Sequence, residues 1–266
     1  ASYKNSIVII YCIFVFKLTH KYPMFDFFTK HKKPLFEGLC DIHNHLLPGI
    51  DDGSKSVAMS LDMLEGFVSL GITSVIPTPH VYQDLYPNTP TTIKNAFDVL
   101  SAETSKIDCP KVNSYGAEYM IDEVFMKNLQ ISMPSLLLNN TYLLVEISFF
   151  SETTMLVKAG FTLLQNNITP ILAHPERYHS IKTIKEYKEL KNKGFYLQLN
   201  ALSLLGHYGP EVKQKAKKIL QEGLYDFVAT DAHHLQHLKI LQNINLSKKQ
   251  RIHWETIREF QLTQFS

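Results

Sequence analysis

From Leu39 onward the chain alternates short apolar runs with longer stretches in which apolar residues recur every three or four positions. The short runs predict strands at 39–45, 73–76, 111–115, 142–147, 169–173, 195–200 and 226–230. Between them, Val57, Leu61, Leu64 and Val68 are spaced 4, 3 and 4, a helix face that opens near Ser56 and stops at Gly71. Ile93, Phe97 and Leu100 repeat the spacing, with Thr89 placed to cap and Pro90 at the first helical position. Val212, Ala216, Ile219 and Leu220 form a third face, ended by Gly223, and an amphipathic helix over about 248–261 carries Trp254. Strands alternating with helices predict a parallel sheet covered by helices. Seven such units are too many for a small open sheet and nearly enough for closure. The expected fold is therefore α/β, a distorted (β/α)7 TIM-like barrel.

In such barrels the reacting groups sit at the C-terminal ends of the strands, and the polar residues of this chain fall there. His43 and His45 are two apart, so on an extended strand both imidazoles face one way. Asp51 and Asp52 follow on an Asp-Gly turn and compete for one ligand role. His80 is held between Pro77, Pro79 and the next loop, while Glu118 and Glu146 close apolar runs where an unpaired carboxylate is costly. His174 ends another run, and Arg177 after it carries a planar donor fork suited to phosphate, unless it is spent on Glu176. Asp231 and His233 repeat the two-residue spacing at the last strand. Five histidines and four carboxylates with no cysteine among them suit Mn²⁺, Fe²⁺ or Zn²⁺ alike. Nine donors exceed one ion's needs, so two to three divalent ions are expected.

Composition narrows the classes. At 266 residues and 45% hydrophobic the chain can bury one large core. A net charge of +2 argues against a nucleic-acid groove. Three cysteines without a CxxC exclude a disulfide framework and fit a reducing compartment. Residues 1–35 form a lead-in and 36–266 a single domain. The apolar run 7–16, flanked by Lys4 and Lys17, is too short to span a membrane and precedes no small-x-small cleavage site. It is a signal-peptide core, an edge strand, or a segment upstream of Met24 that lies outside the functional unit.

Taken together, the motifs resemble the PHP (polymerase and histidinol phosphatase) superfamily. More narrowly they resemble its bacterial branch of manganese-dependent protein-tyrosine phosphatases from capsular and exopolysaccharide gene clusters. The carrying residues are His43 and His45 with 48–54, Thr78 to His80, Tyr115 to Glu118, Leu144 to Glu146, Ala173 to Tyr178 and Ala229 to His234. The resemblance implies a trinuclear site at the barrel mouth, and the preference for Mn²⁺ comes only with it. His43, His45, Asp52, His80, Glu118, Glu146, His174, Asp231 and His233 would be its ligands or immediate carboxylates, with Glu118, Glu146 and Arg177 catalytic and Arg177 holding phosphate. The branch also carries an arginine after the final DxH. This chain has none there, so either His237 or Lys239 takes over that contact or phosphate is bound more weakly.

The expected activity is hydrolysis of a phosphomonoester, first of all phosphotyrosine on a membrane-bound tyrosine kinase tail, by a cytoplasmic protein. Tyr82, Leu85 and Tyr86 would pack the substrate ring, unless that loop packs only on itself. Phenolate leaves readily, so a general acid is dispensable, with His179, His207 and Tyr208 as candidates for one. The rivals are a small-molecule phosphatase of the histidinol phosphate type, a polymerase-associated nucleic-acid module, and a non-catalytic metal-bound scaffold. A homo-oligomer is left open.

Overall fold

Local signals in the chain set the helix ends. The computed structural model describes residues 34–105 and 108–265, and the expectations for the lead-in before residue 34 lie outside the described residues. Ser56 caps α1 (Val57–Leu70) by accepting from Met59 N, and Gly71 ends it at φ 83°, where a side chain would be strained. Thr89 and Thr92 form the capping box of α2 (Pro90–Thr104), and Asp122 caps α3 (Glu123–Leu129). The remaining helices are α4 (Thr154–Gln165), α5 (Ile184–Asn192), α6 (Pro210–Gln221), α7 (Leu235–Leu241) and α8 (Lys248–Gln264). None of the described helices is long and apolar enough to cross a membrane.

One predicted helix face is rotated. α1 buries Ser60, Met63, Leu64, Gly66 and Phe67, whereas Val68 is 54% exposed. The reason is contact with α7: a Cβ on Gly66 would come within 2.8 Å of Leu238 Cδ1, so small residues set the interface where large ones were expected.

The strands are all parallel: β1 (Cys40–Asp41), β2 (Ser74–Val75), β3 (His80–Val81), β4 (Glu118–Met120), β5 (Tyr142–Glu146), β6 (Thr169–Ala173), β7 (Tyr196–Asn200) and β8 (Phe227–Ala229). They form a two-stranded sheet, β1-β2, and a six-stranded sheet in sequence order from β3 to β8. The single closed ladder of a barrel is therefore not what the strands make. The expected strand at 111–115 reduces to one bridge, Ser74 to Lys111, and the pairing resumes at His80 to Glu118. The cause is Pro77 and Pro79, which accept from Gly116 N and Glu118 N but have no N–H to return.

On the other side of β1, side chains replace the missing ladder. Asp41 Oδ1 accepts from Thr230 N at 2.8 Å and its Oδ2 from Thr230 Oγ1 at 2.8 Å. Gln261, fully buried on α8, donates to Cys40 O at 2.8 Å and Val228 O at 3.0 Å and accepts from Val228 N at 2.9 Å. Farther up, backbone bonds return: Asp231 N to His43 O at 2.8 Å and His45 N to Ala232 O at 3.0 Å.

Apolar residues fill both faces of the sheet. Leu143, Val145, Leu172, Leu197 and Val228 join the large core, and Tyr142, Leu144, Ile171, Ala173 and Phe227 a smaller one. Glu146 continues the face of Tyr142 and Leu144, a carboxylate at the end of an apolar row.

Candidate metal centre

The nine donors predicted from strand ends converge on one mouth. His43 Nδ1 lies 2.9 Å from Gln198 Oε1, and His45 Nδ1 lies 2.8 Å from Asp51 Oδ2. Those acceptors fix the ring proton on Nδ1 and leave the Nε2 lone pairs facing inward. His43 Nε2 is 3.3 Å from Glu118 Oε2 and 3.4 Å from Asp231 Oδ1, and His45 Nε2 is 3.3 Å from Asp231 Oδ1. His80 Nδ1 stands 2.9 Å from Glu118 Oε2 and 3.1 Å from Glu146 Oε1, and His174 Nε2 stands 2.9 Å from Glu118 Oε1. Asp52 Oδ1 closes the outer rim, 3.4 Å from His80 Nε2 and 3.5 Å from His233 Nε2.

These contacts are short, yet His43 Nε2, His45 Nε2, His80 Nδ1 and Glu118 Oε2 are buried without a hydrogen-bond partner. Their lone pairs aim at common points rather than at each other, which is how ligands of an ion are disposed and is costly otherwise. Four overlapping sets have donor atoms within 4.8 Å of one another: His45, Asp52, His80 and His233; His43, Glu118 and His174; His43, His45 and Asp231; His80, Glu118 and Glu146. The fit of the donor set to divalent ions is good.

The electrostatics agree. Burial alone would lower the His43 imidazole, but the Glu118 and Asp231 carboxylates outweigh it and push its pKa up to about 9. Burial would likewise lower His45, but the Asp51 carboxylate outweighs it and pushes its pKa up to about 10. Burial would raise Glu118 and Asp231, and the imidazoles around them hold both well below the carboxylate range. His174 and Asp231 adopt left-handed backbone at φ 35° and φ 50°. Such strain in non-glycine residues costs about 1–3 kcal/mol each and clusters at functional sites.

The structure separates Asp51 from Asp52. Asp51 is buried and also accepts from Gly53 N at 2.9 Å and His80 N at 3.2 Å, so it orients His45 and the His80 backbone. Asp52 alone faces the donors. A Cβ on Gly53 would sit 2.2 Å from His45 O, which is why a glycine closes this turn.

Arg177 stands beside the donors in a cavity of about 560 Å³ lined also by Tyr82, Leu85, Tyr86, Phe149, Tyr208 and His237. Its Nη1 donates to Asp231 Oδ2 at 3.3 Å. The alternative partner, Glu176, is fully buried and accepts instead from Ser203 Oγ at 2.7 Å, Tyr225 OH at 2.9 Å and Asn200 N at 3.1 Å. Tyr82 and Tyr86 exchange backbone bonds of 3.0 and 2.7 Å, so the loop does pack on itself, but the Tyr86 ring also stacks on His80, centroids 5.3 Å apart. Of the two substitutes for the absent arginine, His237 lines the cavity and Lys239 does not. Burial and the neighbouring His234 pull the His237 pKa down to about 3, and its Nδ1 accepts from His233 N at 3.3 Å. With Nδ1 taken up as an acceptor, the neutral ring carries its proton on Nε2 and is not a cation. His179 stacks on Phe150 and His207 packs edge-on to Tyr208, and neither lines the cavity.

Gln198, Phe149 and Asn200 were not singled out from sequence. Gln198 and Asn200 sit on β7, whose run Tyr-Leu-Gln-Leu-Asn alternates apolar and polar. A polar residue repeated every second position in a buried strand was the available signal.

Over residues 39–249 the chain matches the family model described as capsular polysaccharide synthesis, CpsB/CapC. It is 32% identical over 200 residues to the tyrosine-protein phosphatase YwqE of Bacillus subtilis, covering 74% of this chain and 78% of that protein. With the tyrosine-protein phosphatase CpsB of Streptococcus agalactiae serotype III it shares 29% over 203 residues, 74% of this chain and 84% of that one. With the putative tyrosine-protein phosphatase CapC of Staphylococcus aureus it shares 28% over 225 residues, 84% and 88% of the two chains. It also matches a solved structure from work on YwqE and the Streptococcus pneumoniae CpsB, described as metal-dependent tyrosine phosphatases, with TM-score 0.71 and 29% identity over 86% of this chain and 96% of that one. The matched stretch runs from the first strand through α7 and holds every donor described above, and the chain belongs to the CpsB/CapC family.

Proposed function

We propose that this chain is a metal-dependent protein-tyrosine phosphatase acting in capsular or exopolysaccharide synthesis, with residues 36–266 as the catalytic unit. The observation that carries the reading is the set of buried, hydrogen-bond-free His and carboxylate atoms aimed inward beside Arg177, the one arginine lining the cavity among the described residues. His43, His45, Asp52, His80, Glu118, Glu146, His174, Asp231 and His233 would hold two to three divalent ions, Mn²⁺ by preference. Such ions supply Lewis acidity toward a phosphoryl oxygen and a water of lowered pKa.

The chain's own groups do the rest. Arg177 presents its fork to the non-bridging phosphate oxygens, where charge is redistributed in phosphoryl transfer. His237 donates a neutral hydrogen bond in place of the missing second arginine. Tyr86, held flat over His80, with Tyr82 and Leu85 forms an aromatic and apolar wall beside the leaving group. Leu85, which lines the cavity, is 65% exposed, which suits a side chain presented on a polypeptide better than a small metabolite needing enclosure. The partner that follows is a phosphotyrosine protein, the tail of a membrane-bound tyrosine kinase, met in the cytoplasm. The two sheets read as one interrupted (β/α)7 barrel, supported by the bonds from His43 and His45 to the last strand.

The test is phosphate release from a phosphotyrosine peptide, with phosphoserine peptide and histidinol phosphate alongside, in Mn²⁺ and in excess chelator. Metal-dependent turnover confined largely to phosphotyrosine and lost in His43→Ala is expected. A preference for histidinol phosphate would move the site to small-molecule chemistry.

A further inference from the structure

Among the described residues Arg177 is the only lysine or arginine lining the mouth cavity, and no carboxylate grips it in a two-pronged pair. Its one acid contact, Nη1 to Asp231 Oδ2, is 3.3 Å long. Two rings hold the guanidinium instead. Its Cζ lies 4.4 Å from the Phe149 centroid and 4.0 Å from the Tyr208 centroid. A planar guanidinium on an aromatic face is held in orientation as well as in place.

The Tyr208 ring is itself anchored. Asn200 Nδ2 donates to the Tyr208 hydroxyl at 3.0 Å and to Asp231 Oδ2 at 2.7 Å, and Asn200 Oδ1 accepts from Leu202 N at 2.9 Å. Asp231 Oδ2 is thereby turned toward Asn200 and Arg177, leaving Oδ1 for His43 and His45. One amide therefore ties the ring that carries the arginine to the carboxylate that faces the metal donors.

We propose that Tyr208, backed by Phe149 and anchored by Asn200, is a positioning residue that clamps Arg177 against the phosphate position, and is not a proton donor to the leaving group. The proposal rests on the phosphatase reading above. The Tyr208 hydroxyl is engaged by the Asn200 amide while the ring face carries the guanidinium, the disposition of a support for Arg177.

The experiment compares wild type, Tyr208→Phe and Tyr208→Leu in the metal-loaded protein. It reads kcat and KM on a phosphotyrosine peptide, the dissociation constant of inorganic phosphate by calorimetric titration, the pH profile, and bound metal by elemental analysis. A desolvated cation–ring contact corresponds to about fivefold to thirtyfold in affinity. Tyr208→Leu is expected to weaken inorganic phosphate and raise KM by that factor with metal content unchanged. Tyr208→Phe should recover all but about threefold of it and keep both limbs of the pH profile. Phe149→Leu, which touches no hydroxyl, should shift the phosphate constant the same way if Tyr208→Leu fails to fold. The proposal is overturned if Tyr208→Phe is as impaired as Tyr208→Leu, if neither ring variant changes phosphate affinity, or if the loss tracks loss of metal. Wild type without turnover, but with phosphate affinity still responding to the rings, would overturn the phosphatase reading and leave the clamp standing.

Discussion

Asp51→Asn separates the two adjacent aspartates most sharply. The buried Asp51 carboxylate accepts three hydrogen bonds: Oδ2 from His45 Nδ1 at 2.8 Å and His80 N at 3.2 Å, Oδ1 from Gly53 N at 2.9 Å. An asparagine has one acceptor oxygen, so either amide orientation sets an NH₂ against an N–H. The cheaper choice keeps the oxygen on His45 and His80 and orphans the buried Gly53 N–H, at about 1–3 kcal/mol. At 2–4 °C per kcal/mol for a domain of this size, the metal-free protein should melt about 2–12 °C lower. The neutral amide oxygen is a weaker acceptor for His45 Nδ1 than the carboxylate it replaces, and altering the partner behind a ligating imidazole should cost about tenfold to a hundredfold in metal affinity. Calorimetric titration of Mn²⁺ into chelator-stripped protein reads the affinity, and a thermal melt of the same sample reads the stability. Unchanged affinity with a lowered melting point would refute the orienting role and leave Asp51 a turn residue only.

Four further outcomes are expected. Metal binding should release protons at neutral pH: metal-free His43 and His45 titrate near 9 and 10 and must deprotonate to ligate, so affinity falls as pH falls, which isothermal titration in buffers of different ionisation enthalpy will show. The same raised values stabilise the metal-free fold fully below the unfolded pKa of 6.5, a contribution lost as pH rises through about 9–10, so chelated protein should melt lower at pH 10 than at pH 7, with equal melting temperatures counting against it. Gly160→Ala, ordinarily favourable in a helix, should destabilise by about 1–3 kcal/mol because its Cβ would lie 2.2 Å from Phe195 Cζ, and a denaturant midpoint at or above wild type would contradict that packing. Arg177→Lys keeps the charge but loses the stacked plane and the fork, so kcat/KM on phosphotyrosine peptide should fall at least tenfold, and activity near wild type would mean that a point charge suffices.

The repeating order of strand and helix was legible because each β/α unit writes its own period and caps, as Ser56, Gly71, Thr89 and Pro90 show. The donors were legible because a carboxylate or imidazole ending a buried strand is conspicuous against its apolar neighbours, as at Glu146 and His174. What sequence could not show were relations across the fold. Which of Asp51 and Asp52 turns inward depends on a turn held by Gly53 against His45. The third strand misplaced itself because Val112 and Tyr115 look strand-like, while the prolines that interrupt their pairing lie over thirty residues earlier. Gln198 and Asn200 read as ordinary strand polars until His43 and Tyr208 are brought to them from 155 and 8 residues away.

The seam between the first and last strands bears on how the molecule is made. Its lower half is stitched by Gln261, 221 residues from the Cys40 carbonyl it holds, and donors stand on both banks, His43 and His45 on one and Asp231 and His233 on the other. Contacts of such separation form late, after the intervening chain has been ordered. The full donor set therefore has no shape until α8 has joined the seam, so a chain that has not reached that point holds scattered histidines rather than a ready chelator. An ion held across this seam would bind the folded chain alone and would reinforce a line where side chains stand in for a continuous ladder.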